Sequence, residues 1–252
     1  MQRTVQELFT YPATDKSVEA RQARAAFHCP ILNVACTKNN DDGAEENDPV
    51  LYGPLGVCSV FNPQPPGPSP VTCLCPARLY DKGYPTLRRL AKDVLEEPSL
   101  ETYMFGEWLV KGAPDGIVLV GKNEPGEVRT DAGSLDWVAA YCRGGRLVKY
   151  AGIEAQAIDT TGNYRANRAA LMREDTDIPA SGHGLNWENV NKRIIPQLLR
   201  KGVLLKELSG EHAVGLGFLV DANVYSKFET RLGSPLQDDS GFNLVIHAYS
   251  LS

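Results

Sequence analysis

Apolar residues fall along this chain in two rhythms. Short, nearly continuous runs occur at Gly116-Ile-Val-Leu-Val-Gly121, Trp137-Val-Ala-Ala-Tyr141 and Leu147-Val-Lys-Tyr-Ala-Gly-Ile-Glu-Ala-Gln-Ala-Ile-Asp159. Runs of this length bounded by turn formers predict buried strands. Between the last two, Arg143-Gly-Gly-Arg146 has the composition of a hairpin turn, so these strands should pair antiparallel. Val214–Val220 and Phe242–Tyr249 add two candidate strands near the C-terminus. The helical rhythm appears at Leu87–Leu95, where Arg88, Arg89 and Lys92 take the side away from the apolar residues. It returns over Asn186–Arg200, which places Trp187, Val190, Ile194 and Leu198 among Lys192, Arg193 and Arg200. Pro196 should kink or reset that helix. Residues 1–24 read as a helix with a solvated Gln/Glu/Arg face, broken by Pro12. Helices laid on a mixed sheet define an α/β fold class. The chain contains no internal repeat.

The strand ending near Asp159 carries chemistry. Alternate side chains share a face in a strand, so Glu154 and Gln156 point the same way. An acid inside an apolar strand is costly to bury unless it is paired or holds a metal. Asp136 opens the preceding apolar run, and the hairpin would bring it to Glu154, so that both bind one Mg²⁺ ion. That is the D…E-x-(K/Q) layout of a metal-dependent nuclease. Phosphodiester hydrolysis needs an activated water and a place for charge to build, and Mg²⁺ on carboxylates provides both. The expected catalytic residues are therefore Asp136, Glu154 and Gln156. Many sites of this layout have a lysine where Gln156 stands; a carboxamide can hydrogen-bond the water but brings no full charge. Lys149 lies an odd number of residues from Glu154 and should face away. Strict dependence on the metal follows. Glu107 is either an extra site acid or a surface group, while Asp115 and Asp159 fit turns.

Composition narrows the classes. With 252 residues, the chain has room for one large domain or a domain with a small appendage. No apolar run approaches membrane-spanning length, and the N-terminus lacks the plan of a signal peptide, so a cytoplasmic location is expected. Net charge of −5 gives no overall attraction to nucleic acid, so DNA contacts would need local basic surfaces. Of the six cysteines, Cys29, Cys36, Cys58, Cys73 and Cys75 cluster in a Pro/Gly-rich segment, while Cys142 stands apart. That segment includes the acidic run of residues 41–49 and is poor in regular apolar residues, so a thiolate-bound metal would provide its missing cohesion. Zinc and iron both suit sulfur ligands. No nucleotide-binding glycine loop or hydrolytic nucleophile motif is present.

His28-Cys-Pro-Ile-Leu-Asn-Val-Ala-Cys-Thr-Lys38, Gly56-Val-Cys-Ser-Val60 and Cys75-Pro-Ala-Arg-Leu79 resemble the cysteine motifs of NotI-type restriction endonucleases. Gly152-Ile-Glu-Ala-Gln-Ala-Ile-Asp-Thr-Thr-Gly-Asn-Tyr164 resembles that family's catalytic strand, in the same order along the chain. The resemblance runs from about residue 25 to the C-terminus. It implies a PD-(D/E)xK nuclease core, a mixed β-sheet flanked by helices, with a small cysteine-rich metal-binding module. It also implies a structural iron on Cys29, Cys36, Cys58 and Cys75, with Cys73 able to replace Cys75. The corresponding division is an N-terminal helical segment (1–24), the cysteine module (25–80) and the nuclease core with DNA-binding elements (81–252). The expected activity is that of a type II restriction endonuclease, a bacterial or archaeal enzyme of a restriction-modification system. It would act on double-stranded DNA as a homodimer, since two-fold protein symmetry matches a palindromic site. Arg165, Arg168, Lys192 and Arg193 are the expected DNA-binding residues. Two other readings stay open: a structure-directed repair or mobile-element nuclease, and a non-catalytic metal-stabilised DNA-binding module.

Overall fold

A computed structural model describes residues 3–38, 48–121, 128–130, 133–162, 164–208, 210–233 and 243–251. Most of the acidic run (residues 41–47), Asn163 of the catalytic-strand motif and Phe242 lie outside the described residues.

The first difference from expectation comes at the N-terminus. Residues 1–24 do not form one helical segment. Strand β1 (Thr4–Leu8) turns through Phe9 and Thr10, both with positive φ, into β2 (Tyr11–Pro12). Only then does helix α1 (Val18–Ala25) begin, capped by Ser17, whose Oγ accepts from the Ala20 N–H at 3.2 Å. Val5 and Leu8 are the buried residues of β1, and Pro12 sits on an edge strand, where a missing N–H costs no ladder bond.

A short ribbon follows, β3 (His28–Cys29) against β4 (Val34–Ala35), then helix α2 (Pro49–Tyr52). Strands β5 (Val57–Phe61) and β6 (Val71–Cys73) complete a four-stranded sheet in the order β2-β1-β5-β6. The pairing Val5↔Val60 therefore joins the N-terminal segment to the middle of the expected cysteine module. The two segments on either side of residues 24/25 thus share one sheet. Helix α3 (Pro76–Tyr80) starts with proline in its first turn, where no N–H is needed.

Helix α4 (Pro85–Leu95) buries Leu87, Leu90, Ala91, Val94 and Leu95, the i, i+3, i+4, i+7, i+8 stripe of an amphipathic helix. After β7 (Thr102–Met104) and α5 (Phe105–Val110), the predicted strand β8 (Gly116–Gly121) enters the main sheet. A small ribbon of β9 (Val128–Thr130) and β10 (Gly133–Leu135) precedes β11 (Trp137–Arg143) and β12 (Arg146–Gln156). The β11–β12 hairpin is the one expected. Gly144 and Gly145 both have positive φ, as a two-residue turn matched to strand twist requires.

Helix α6 (Arg165–Met172) leads through a loop to a π-turn at Val190–Ile194 and helix α7 (Ile195–Leu208). Pro196 stands in the first turn of α7, so it resets the segment as its missing N–H dictates. Strand β13 (Ala213–Asp221), helix α8 (Ala222–Leu232) and strand β14 (Asn243–Tyr249) end the described fold. The main sheet has six strands in the order β14-β13-β12-β11-β8-β7. Strand β11 runs antiparallel to both of its neighbours, β8 and β12, whereas β13 runs parallel to both β12 and β14, and β7 parallel to β8.

Strand β12 separates two cores. Ala151, Ile153 and Ala155 pack on the side of α4 with Leu90, Val94 and Leu219. The opposite side holds Leu198 and Leu205 of α7, Phe218 of β13, and Val5, Leu8 and Val57 from the four-stranded sheet. This second core crosses the division expected at residues 80/81. Gly152 leaves room for α7: a Cβ there would meet Leu205 Cδ1 at 2.8 Å. The protein is thus a mixed α/β fold whose six-stranded sheet is flanked by helices.

Candidate active site

The two strand acids meet. Trp137 pairs with Ile153 across the β11–β12 hairpin, which sets Asp136 opposite Glu154. The Asp136 N–H donates to Glu154 Oε1 at 3.3 Å, and the Ala155 N–H donates to Asp136 Oδ2 at 3.0 Å. Each carboxylate is therefore anchored by the main chain of the other strand. Glu154 is 2% exposed. Burial, reinforced by the charge of Asp136, pushes its carboxyl up to about 7, against the opposing pull of Lys201. Two carboxylates fixed this way can share a divalent cation. Gln156, half-buried, borders with Glu154 a crevice beneath Ile194 and Leu198. It also opens on a cleft of about 180 Å³ shared with Lys38, Asp159, Asn189 and Arg193.

Lys201 is the residue that the sequence reading did not place at the acid pair, grouping it instead with the basic residues Lys192, Arg193 and Arg200. Its Nζ lies 2.6 Å from Glu154 Oε1, and its side chain is 13% exposed. A signal was present: Ile194, Leu198, Lys201 and Leu205 follow a 4-3-4 spacing, so the lysine interrupts the apolar stripe of its helix. Only the crossover of α7 between β12 and β13 reveals what lies beneath that stripe.

The other candidates are elsewhere. Lys149 faces the α4 side and pairs with Glu97 at 2.9 Å, as strand parity requires. Glu107 lies at the surface, where it accepts from the Met104 N–H at 2.9 Å and pairs with Arg88 at 2.9 Å. Asp115 accepts from the Gly144 N–H at 2.7 Å and braces the hairpin turn. Asp159 accepts from Asn189 Nδ2 at 2.9 Å and lies 3.6 Å from Arg193, on the rim of the cleft beside Gln156.

Four cysteines from separate pieces of chain line one small cavity of about 20 Å³: Cys29 in β3, Cys36 after β4, Cys58 in β5 and Cys75 before α3. Gly56, with φ +61°, is required beside it because a Cβ would strike the Phe9 ring at 2.2 Å. Cys73 does not line the cavity; it is fully buried in the α4-side core and donates its S–H to the Cys75 carbonyl at 3.1 Å. The hydrogen bond with Cys58 and the nearby Lys38 hold the Cys75 thiol down at about 6, while Cys58 and Cys73 are pushed up. Among the described residues, no three His, Cys, Asp or Glu side chains stand close enough as placed to hold a metal ion. The four thiols that line the cavity are donors of the kind a tetrahedral sulfur site uses.

Of the expected DNA-binding residues, Arg168 is corrected. It is 1% exposed, and its guanidinium donates to the carbonyls of Leu55 (2.6 Å), Pro54 (2.7 Å) and Val50. Burial lowers its pKa to about 10. It fastens the loop before β5 to α6 and does not reach the surface. Arg165, at the start of α6, is half-buried. Lys192 and Arg193 are exposed on the π-turn, and Arg193 lines the cleft on which Gln156 opens. In the α4 group, Arg88 is engaged by Glu107 and the Thr102 carbonyl, and Lys92 by the Pro98 carbonyl at 3.3 Å.

No protein-family model matches the chain, and no curated protein matches it. Among the described residues, no helix is long and apolar enough to cross a membrane.

Proposed function

We propose that the chain is a Mg²⁺-dependent type II restriction endonuclease, related to the NotI-type enzymes it resembles, that cuts double-stranded DNA. The observation that carries this reading is the reciprocal main-chain anchoring of Asp136, just before β11, and Glu154 in β12, with Gln156 on the Glu154 side. The six-stranded mixed sheet flanked by helices is compatible with the α/β core that the resemblance implies.

Asp136 and Glu154 would hold the Mg²⁺ ion, which supplies the positive charge that makes water acidic and stabilises a phosphoryl transition state. The protein's part is to fix geometry. Main-chain N–H groups keep the two carboxylates converging, the α4-side core keeps β12 in register, and the Gln156 carboxamide orients the water by hydrogen bonding. Cys29, Cys36, Cys58 and Cys75 would hold the structural iron or zinc, tying β3, β5 and the start of α3 together. Lys192 and Arg193 would meet phosphates beside the cleft, giving the acidic chain the local positive surface it needs. A homodimer in a bacterial or archaeal cytoplasm, with a palindromic target, completes the reading.

The test is incubation of unmethylated phage DNA with purified protein, with Mg²⁺ and with EDTA. Discrete, Mg²⁺-dependent fragments are expected. A smear would indicate a structure-directed nuclease instead. Intact DNA that still shifts on a gel would indicate a non-catalytic binding module.

A further inference from the structure

The nuclease reading leaves a charge missing. The strand position two residues after Glu154 is Gln156, which offers a dipole and no cation. A cation nevertheless reaches the site from another element. Lys201 comes down from α7 to within 2.6 Å of Glu154 Oε1, and its side chain is 13% exposed. Its neighbours on the helix stripe, Ile194, Leu198 and Leu205, are 3%, 4% and 0% exposed. An apolar side chain would continue that stripe, and buried ion pairs are on balance poor stabilisers compared with such packing. What Lys201 has that leucine lacks is an ammonium group over the acid that would bind the metal.

Resting on the nuclease reading above, we propose that Lys201 is a catalytic residue: it delivers from α7 the ammonium that β12 lacks at Gln156. Without the divalent ion, Lys201 neutralises Glu154. With Mg²⁺ held by Asp136 and Glu154, the flexible four-carbon stem of Lys201 would let Nζ turn to the scissile phosphate and the attacking water. In the step served, a water oxygen bonds to phosphorus and the bond from phosphorus to the leaving sugar oxygen breaks. The water releases a proton to solvent, and the leaving oxygen takes one from solvent. Lys201 takes no part in these proton transfers and acts as hydrogen-bond donor and charge where negative charge builds.

The two places from which a lysine could reach this spot make the test specific. Lys201→Met is compared with the double variant Gln156→Lys/Lys201→Met, which moves the ammonium from helix to strand. Single-turnover cleavage is measured with Mg²⁺, and DNA affinity with Ca²⁺. Lys201→Met is expected to lose about a hundredfold in cleavage rate, the scale of one removed charge stabiliser, with DNA affinity kept within about threefold. The double variant is expected to recover at least about tenfold over Lys201→Met, which a purely structural lysine would not allow. Lys201→Gln, which keeps a donor near Glu154 without the charge, is the second variant should Lys201→Met fail to fold; it should show the same loss. Wild-type cleavage with an undiminished Lys201 variant, or a double variant no better than Lys201→Met, overturns the Lys201 role alone. Wild-type protein that cuts no DNA overturns the nuclease reading and this role together.

Discussion

Strand β12 shows two different environments on its two faces. Toward α4 it presents Ala151, Ile153 and Ala155, each at most 2% exposed and packed on an unbroken leucine-valine stripe. Toward α7 it presents Gly152, Glu154 and Gln156, and the stripe above them is interrupted by Lys201. The same two-residue alternation serves both. The apolar face secures the register, and that register sets Glu154 against Asp136 on the polar face. A fully buried acid elsewhere sharpens the contrast. Asp221 caps α8 and accepts from the N–H groups of Cys73 (3.0 Å) and Asn223 (2.8 Å), so its oxygens are committed to holding two segments together. Glu154 instead faces a second carboxylate and a lysine, an arrangement suited to exchanging partners.

The strongest challenge to the division between faces is Ile153→Ala. Emptying a fully buried position on the apolar face should lower unfolding free energy by about 4 kcal/mol, measured by urea denaturation. A loss below about 1 kcal/mol would mean that the α4 face does not anchor the register.

Asp221 tests the structural acid through pH. Its carboxyl is raised to about 6 by burial, against the pull of its main-chain donors. An unfolded aspartate titrates near 3.9, so between these values the folded state retains a proton that the unfolded state has released. Stability from this group therefore falls as pH rises from about 4 to 6 and stays lower above that. Asp221→Asn has no such ionisation. Between pH 4 and pH 7 its stability relative to wild type should move in the variant's favour by about 2 kcal/mol, read from paired denaturation curves. A constant difference would refute the raised carboxyl.

The smallest effect belongs to the surface. Arg193→Ala should weaken DNA binding uniformly across sequences and reduce the slope of log affinity against log salt by about 1. An unchanged slope would remove Arg193 from the phosphate-contacting set.

Much of the main sheet was legible in the sequence because its strands are buried on both faces and read as apolar runs: Gly116–Gly121 agrees residue for residue, and the Gly-Gly turn set the hairpin. The relation of Glu154 to Gln156 followed from parity alone. The N-terminal strands did not, since β1 is only five residues long with register shifts around Glu7, too irregular for a clean alternation. Arg168 looked like a surface cation because residue type says nothing of burial. Its place among buried Asn167, Ala169 and Leu171 depends on the loop that covers α6. The set Cys29, Cys36, Cys58 and Cys75 came from the resemblance and not from spacing, and the four line one cavity; the place of Lys201 depends on a contact between distant segments that spacing in one dimension does not encode.

The central claim is that the anchored pair Asp136 and Glu154 performs Mg²⁺-dependent cleavage. The most direct measurement compares wild type and Glu154→Ala, matched for folding and DNA affinity, in single-turnover cleavage of the same DNA with Mg²⁺. The account predicts a loss of about a thousandfold for Glu154→Ala, as expected when a charge-stabilising centre is disabled. Cleavage by Glu154→Ala at the wild-type rate would contradict it.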